Sequence, residues 1–162
     1  MIRLTKLADY AVVLMAHMAE NPERVHSASG ISAATQIPAP TASKILGAMA
    51  RAGILNSHRG LNGGFSLARA PQEISVSDIV SAVDGPIALT ECVEHGQGDC
   101  DLLTSCRMRG YWQKINNAIQ DALKDITLAE FATPAPDFLG DALKAPKPGP
   151  EATTVQDMGT RT

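Results

Sequence analysis

The strongest constraint on the fold is the order of elements between residues 27 and 68. Two short segments with helical apolar spacing flank the turn sequence Gln36-Ile37-Pro38-Ala39-Pro40, and two β-prone runs follow directly after Gly53. Ser27 or Ser29 can cap the first segment, which runs to about Thr35 with Ile31 and Ala34 facing inward. Thr41 or Pro40 opens the second, which carries Ile45, Leu46, Met49 and Ala52 and stops at Gly53, a residue that tolerates the left-handed conformation past a helix end. Ile54–His58 and Phe65–Ala68 then read as strands joined by Arg59-Gly60-Leu61-Asn62-Gly63-Gly64, a turn with an Asn-Gly step. Two helices around a tight turn, followed at once by a hairpin, form a helix-turn-helix with a wing.

The flanking segments extend this plan. Leu7, Ala8, Ala11, Val12, Leu14, Met15 and Met18 recur at the spacing of an amphipathic helix, with Thr5 as its N-cap and Asn21-Pro22 as its end. Ser75 or Ser77 caps another helix bearing Ile79, Val80 and Val83, closed by Asp84-Gly85-Pro86. Beyond a loop at 87–106, Met108, Trp112, Ile115, Ile119, Ala122 and Ile126 form an a/d stripe of almost three heptads, which needs a partner helix. Thr127 and Glu130 have capping-box spacing for a last short helix. The expected fold is mainly α with a small β-hairpin wing. It comprises a winged helix-turn-helix at 1–86, a cysteine loop at 87–106, a dimerisation helix with a short C-terminal helix at 107–132, and a Pro-rich disordered tail at 133–162.

Composition narrows the function. The 162 residues, 44% of them apolar, support one compact domain with an accessory element. No run approaches the roughly 18 to 20 apolar residues of a membrane span, and the N-terminus lacks a signal pattern, so a soluble, cytoplasmic protein without a membrane partner is expected. Residues 1–70 carry seven Lys/Arg against three Asp/Glu, whereas residues 71–133 carry four against ten. The basic half attracts polyanions and the acidic half must face away from them. Nothing resembles a Ser–His–Asp or paired-carboxylate arrangement or a phosphate-binding glycine loop, which argues against an enzyme.

In a winged helix-turn-helix the second helix of the pair presents its N-terminal residues to the major groove of double-stranded DNA. Here those residues are Thr41, Ala42, Ser43 and Lys44. Thr41 and Ser43 can hydrogen-bond bases or phosphate, Lys44 and Arg51 can neutralise phosphate, and Arg59 at the wing tip can enter the minor groove with Asn62 and His58 assisting.

Three cysteines, Cys92, Cys100 and Cys106, occupy one 15-residue window. An odd number without a secretory signal argues against a disulphide framework and for metal or redox chemistry. Three thiolates on one loop can converge on a soft metal centre, either an iron–sulphur cluster or zinc, and a thiol–disulphide switch or free thiols are further readings of the same spacing. A fourth ligand could come from His95 within the loop or from Asp9 on the first helix. An iron–sulphur electron carrier or delivery protein is the alternative from a different functional class.

The string Arg3-Leu4-Thr5-Lys6-Leu7-Ala8-Asp9-Tyr10-Ala11 resembles the opening of the Rrf2 family, which includes the IscR, NsrR and SUF-operon regulators. So do the wing, Ser57-His58-Arg59-Gly60-Leu61-Asn62-Gly63-Gly64-Phe65, the segment from Ile74 to Asp84, the three cysteines and Trp112, over about residues 1–132. The resemblance implies a homodimer joined through the helix from about Arg107 to Asp125. It also implies an iron–sulphur cluster, 2Fe-2S or 4Fe-4S, on Cys92, Cys100 and Cys106. IscR-type members place a histidine three residues after the last cysteine, where this chain has Arg109. NsrR-type members recruit an acidic residue from the first helix of the other subunit, and Asp9 stands at that place. The expectation is a dimeric repressor or activator sensing cluster status, of the type that governs SUF cluster-assembly genes. A nitric-oxide, zinc or thiol sensor on the same fold is the alternative.

Overall fold

The computed structural model describes residues 3–60, 63–90, 93 and 106–132. The first helix, α1 (Lys6–Ala19), begins where the Thr5 hydroxyl accepts a hydrogen bond from the Ala8 N–H at 3.1 Å. Its buried face, Ala8, Ala11, Leu14, Met15 and Met18, has the expected three- and four-residue spacing. Ser27 caps α2 (Ala28–Thr35) by accepting from the Gly30 N–H at 3.0 Å. The chain then turns through Gln36 in the left-handed region (φ 59°), a conformation that is uncommon for a residue with a side chain.

The next helix, α3 (Ala39–Arg51), starts one to two residues earlier than Pro40 or Thr41 would have it. Pro40 sits in the first turn, where a backbone N–H has no intrahelical partner, so the helix needs no hydroxyl cap at Thr41. The first backbone bond runs from the Ala42 N–H to the Pro38 carbonyl at 2.9 Å. Ala42 stands three, four and seven residues before Ile45, Leu46 and Met49, so helical spacing puts it on their face, fully buried with them.

Strands β1 (Leu55–His58) and β2 (Gly64–Leu67) pair antiparallel, from Leu55 opposite Leu67 to His58 opposite Gly64. The outer edge of β2 is not free. His26 and Phe65 exchange backbone hydrogen bonds, each 2.8 Å, and the His26 ring contacts the Asn21 carbonyl at 3.1 Å. The connection between α2 and the first helix is therefore part of the wing. A single bridging residue carries no periodicity, so sequence patterning does not reveal it.

After a 3-10 turn at Pro71–Glu73, α4 (Val76–Asp84) opens with a reciprocal cap. Asp78 N–H donates to the Ser75 hydroxyl and Ser75 N–H to the Asp78 carboxylate, both at 3.1 Å. The long helix α5 (Arg109–Asp125) and the short α6 (Leu128–Phe131) follow, with the Glu130 carboxylate accepting from the Thr127 N–H at 2.7 Å. One core gathers Leu14, Met15 and Met18 of α1, Ile31 of α2, Ile45, Leu46 and Met49 of α3, and Ile79 of α4. Leu128 of α6 completes it, fully buried.

By contrast, α5 buries only Asn116. Most of its stripe faces solvent, with Met108 51%, Trp112 37%, Ile115 44% and Ile126 39% exposed, while Ile119 is half-buried. The tail at 133–162 lies outside the described residues, and no described helix is long and apolar enough to cross a membrane.

Gly64 is where the wing meets the His26 segment most closely: a side-chain carbon there would collide with the His26 carbonyl. Gly64→Ala must push β2 and the His26 segment apart, at a cost of about 1–3 kcal/mol by the usual scale of overpacking. Chemical denaturation should show that loss with an unchanged m-value, and wild-type stability would mean that the bridge is dispensable.

Candidate nucleic-acid interface and metal centre

Burying Ala42, Ile45 and Met49 against the core fixes the rotation of α3 and turns its polar residues outward. Ser43, Lys44 and Arg51 are exposed, and Thr41 is half-buried at the edge of the packed face. Of the four residues expected at the N-terminal end of this helix, Ala42 is the one that cannot reach a ligand, because it belongs to the core. Arg51 lies back along the helix, with its Nη1 3.5 Å from where a side-chain carbon on Gly47 would stand. The outer face of α3 thus offers two hydroxyls and two cations, suited to base edges and phosphate oxygens respectively.

At the wing, Gly60 adopts φ 104°, a conformation open to glycine, and its carbonyl accepts from the Gly63 N–H at 2.9 Å. This tight closure leaves Arg59 exposed at the tip. His58 is exposed, and its Nε2 hydrogen-bonds the Ser66 hydroxyl across the hairpin at 2.8 Å, which ties its ring to the wing. Asn62 lies outside the described residues.

Of the proposed metal ligands, Cys92, Cys100 and His95 lie outside the described residues, and Cys106 is a half-buried free thiol just before α5. Asp9 is exposed in the first turn of α1 and makes no ion pair among the described residues. Arg109 is the exposed first residue of α5. Among the described residues no three His, Cys, Asp or Glu side chains converge as a metal site.

Two polar ties join the segment that leads toward Cys92 to its neighbours, and neither is visible in the sequence pattern. The Thr5 hydroxyl, besides capping α1, donates to the Asp84 carboxylate at 2.7 and 2.9 Å to its two oxygens. Asn116 of α5 binds the backbone at Ile87 and Leu89, and Gln120 also reaches Ile87. A polar residue beside an apolar stripe ordinarily reads as solvent-facing, which is why Asn116 gives no earlier signal.

The Rrf2 family, described as an iron-dependent transcriptional regulator, matches residues 4–134. Protein aau3 of Rhizobium meliloti is 33% identical over 137 residues, covering 85% of this chain and 89% of that protein. The regulator NsrR of Halalkalibacterium halodurans is 27% identical, over 82% of this chain and 91% of its own. Among solved structures, the global cysteine regulator CymR of B. subtilis superimposes with a TM-score of 0.64 at 25% identity, over 82% of this chain and 97% of that one. IscR of T. potens gives 0.60 at 25% identity, over 91% and 93%.

The cations of the wing and of α3 should separate by assay. Arg59→Ala should weaken specific binding while leaving the melting temperature unchanged. Lys44→Ala should weaken binding to all sequences alike and lower the slope of log K against log salt by about 1. A footprint of Arg59→Ala indistinguishable from wild type would remove the wing from the interface.

Proposed function

Because this chain belongs to the Rrf2 family of transcriptional regulators, we propose that it acts as a homodimer whose operator affinity is set by an iron–sulphur cluster on Cys92, Cys100 and Cys106. Asp9 of the partner subunit is the proposed fourth ligand. The observation that carries this reading is the state of α5: the helix opens three residues after Cys106 and shows an apolar stripe to solvent. A second copy of the same stripe covers it, so the last thiol lies beside the dimer contact.

The protein's own groups divide the work. Within each subunit α3 enters a major groove, where Thr41 and Ser43 contact bases or phosphate and Lys44 and Arg51 neutralise phosphate. Arg59 enters the adjoining minor groove, supported by His58 and Asn62. Two-fold symmetry places two such units on half-sites about one helical turn, ~34 Å, or a multiple of it apart.

The donor set fits an iron–sulphur cluster: three soft thiolates within 15 residues of sequence, with an exposed carboxylate available from the other chain. When bound, such a cluster supplies a centre whose charge and ligation respond to iron, oxidants or nitric oxide. Asp9, exposed and without an ion pair among the described residues, favours completion of the NsrR type over the IscR type, since Arg109 offers no ligand where the latter has histidine. This supports nitric-oxide or redox sensing as a second reading beside control of SUF-type cluster-assembly genes. Bridging two subunits through Asp9 links ligation to the relative placement of the two α3 helices.

The cluster-loaded and cluster-free dimers should differ roughly 5- to 150-fold in operator affinity at fixed salt, the range of couplings of about 1–3 kcal/mol. Equal affinities would defeat the sensing mechanism. In protein purified without oxygen, iron and sulphide analysis should find both elements, and Asp9→Ala should alter the visible spectrum or hasten its loss. A colourless zinc protein would replace the cluster by a different metal.

A further inference from the structure

Asn116 is 1% exposed on a helix that otherwise buries nothing completely. Both ends of its amide are used. Oδ1 accepts from the Leu89 N–H at 3.0 Å, and Nδ2 donates to the Ile87 carbonyl at 3.0 Å. Gln120, one turn along, donates to the same carbonyl at 2.9 Å. The Asn116 amide therefore pairs with residues 87 and 89 as a neighbouring strand's peptide group would. Only a side chain with a donor and an acceptor can do this, so neither a carboxylate nor an ammonium could substitute. Immediately upstream, Asp84 is held by the Thr5 hydroxyl at the start of α1. Residues 84–89 are thus held on one side by the helix that bears Asp9 and on the other by the helix that follows Cys106.

Leu89 precedes Cys92 by three residues, and three residues of chain span at most about 11 Å. Apolar contact at this joint is modest: Ile87 and Leu123 are only partly buried against the small cluster of Ala8, Val76 and Val80. The position of the chain at 87–89 therefore rests on directional hydrogen bonds, which hold a segment in one register where a sliding apolar contact would not. Fully satisfied buried amides of this kind are costly to break because each lost partner leaves a desolvated group behind.

We propose that Asn116, supported by Gln120, is the positioning residue for the metal centre: it fixes the start of the cysteine loop on α5, so that retention of the cluster depends on a side chain that does not ligate it. The inference rests on the cluster reading above. It also assigns a buried polar group within the dimerisation helix a role other than dimerisation.

The test uses the full-length protein. In the metal-free form, hydrogen exchange should show the Leu89 amide of Asn116→Ala losing at least about ten-fold in protection, with the α1 core amides unchanged. After anaerobic reconstitution, the visible absorption of Asn116→Ala should bleach roughly 10- to 100-fold faster than wild type under a chelator, the range expected for groups that orient metal ligands. Gln120→Ala should shift both readouts in the same direction by less, and it decides the matter if Asn116→Ala does not fold. Dimer size and salt-dependent DNA binding of the metal-free variants should match wild type, which separates positioning from a general loss of structure. If wild type takes up iron and sulphide while both variants bleach within two-fold of it, the inference is wrong and the cluster reading stands. A wild type that takes up neither element overturns the cluster reading and this inference with it.

Discussion

A helix that turns its apolar stripe to solvent cannot be held in place by burying that stripe in its own domain. In this protein α5 is held at its far end and its middle by hydrogen bonds. At its C-terminal end an antiparallel bridge joins Ser75 and Thr127, with the Val76 N–H donating to Ile126 at 3.0 Å and the Leu128 N–H to Ile74 at 2.8 Å. Leu128 then locks that end into the core. In the middle, the amide of Asn116 takes the place of a strand neighbour for residues 87–89. These ties set the direction in which α5 leaves the winged helix.

The same ties bear on regulation. An effector can shift DNA affinity only through contacts that differ between two states of the protein. The candidate ligands stand at the ends of the tied segments: Asp9 in the first turn of α1, Cys92 beyond residue 89, and Cys106 just before α5. The wing and α3, by comparison, are fixed to the core by Ala42, Ile45 and the His26–Phe65 bridge.

Much of the fold is legible without coordinates because local rules and global packing agree. The caps at Thr5, Ser27 and Ser75, the paired strands, and the exposed heptad stripe all follow from periodicity and capping chemistry. The start of α3 is less legible, since a proline in the first turn makes several starting points equally acceptable. The exposed polar residues of the interface, Ser43, Lys44, Arg51 and Arg59, follow from the helix and hairpin assignments alone. Ala42 is legible too: its spacing of three, four and seven residues to Ile45, Leu46 and Met49 assigns it to the core face, and its place at the N-terminal end of the helix does not make it a contact residue.

The sequence by itself determined the winged helix-turn-helix, the exposed cationic positions of α3 and the wing, and the family to which the chain belongs, because each depends on spacing within a short stretch. Only the tertiary structure decided that His26 extends the wing, that Thr5 binds Asp84, and that Asn116 binds the backbone at Ile87 and Leu89. Each of those joins residues far apart in the chain through one or two hydrogen bonds. Such contacts arise from how elements pack and leave no periodic trace in the elements themselves.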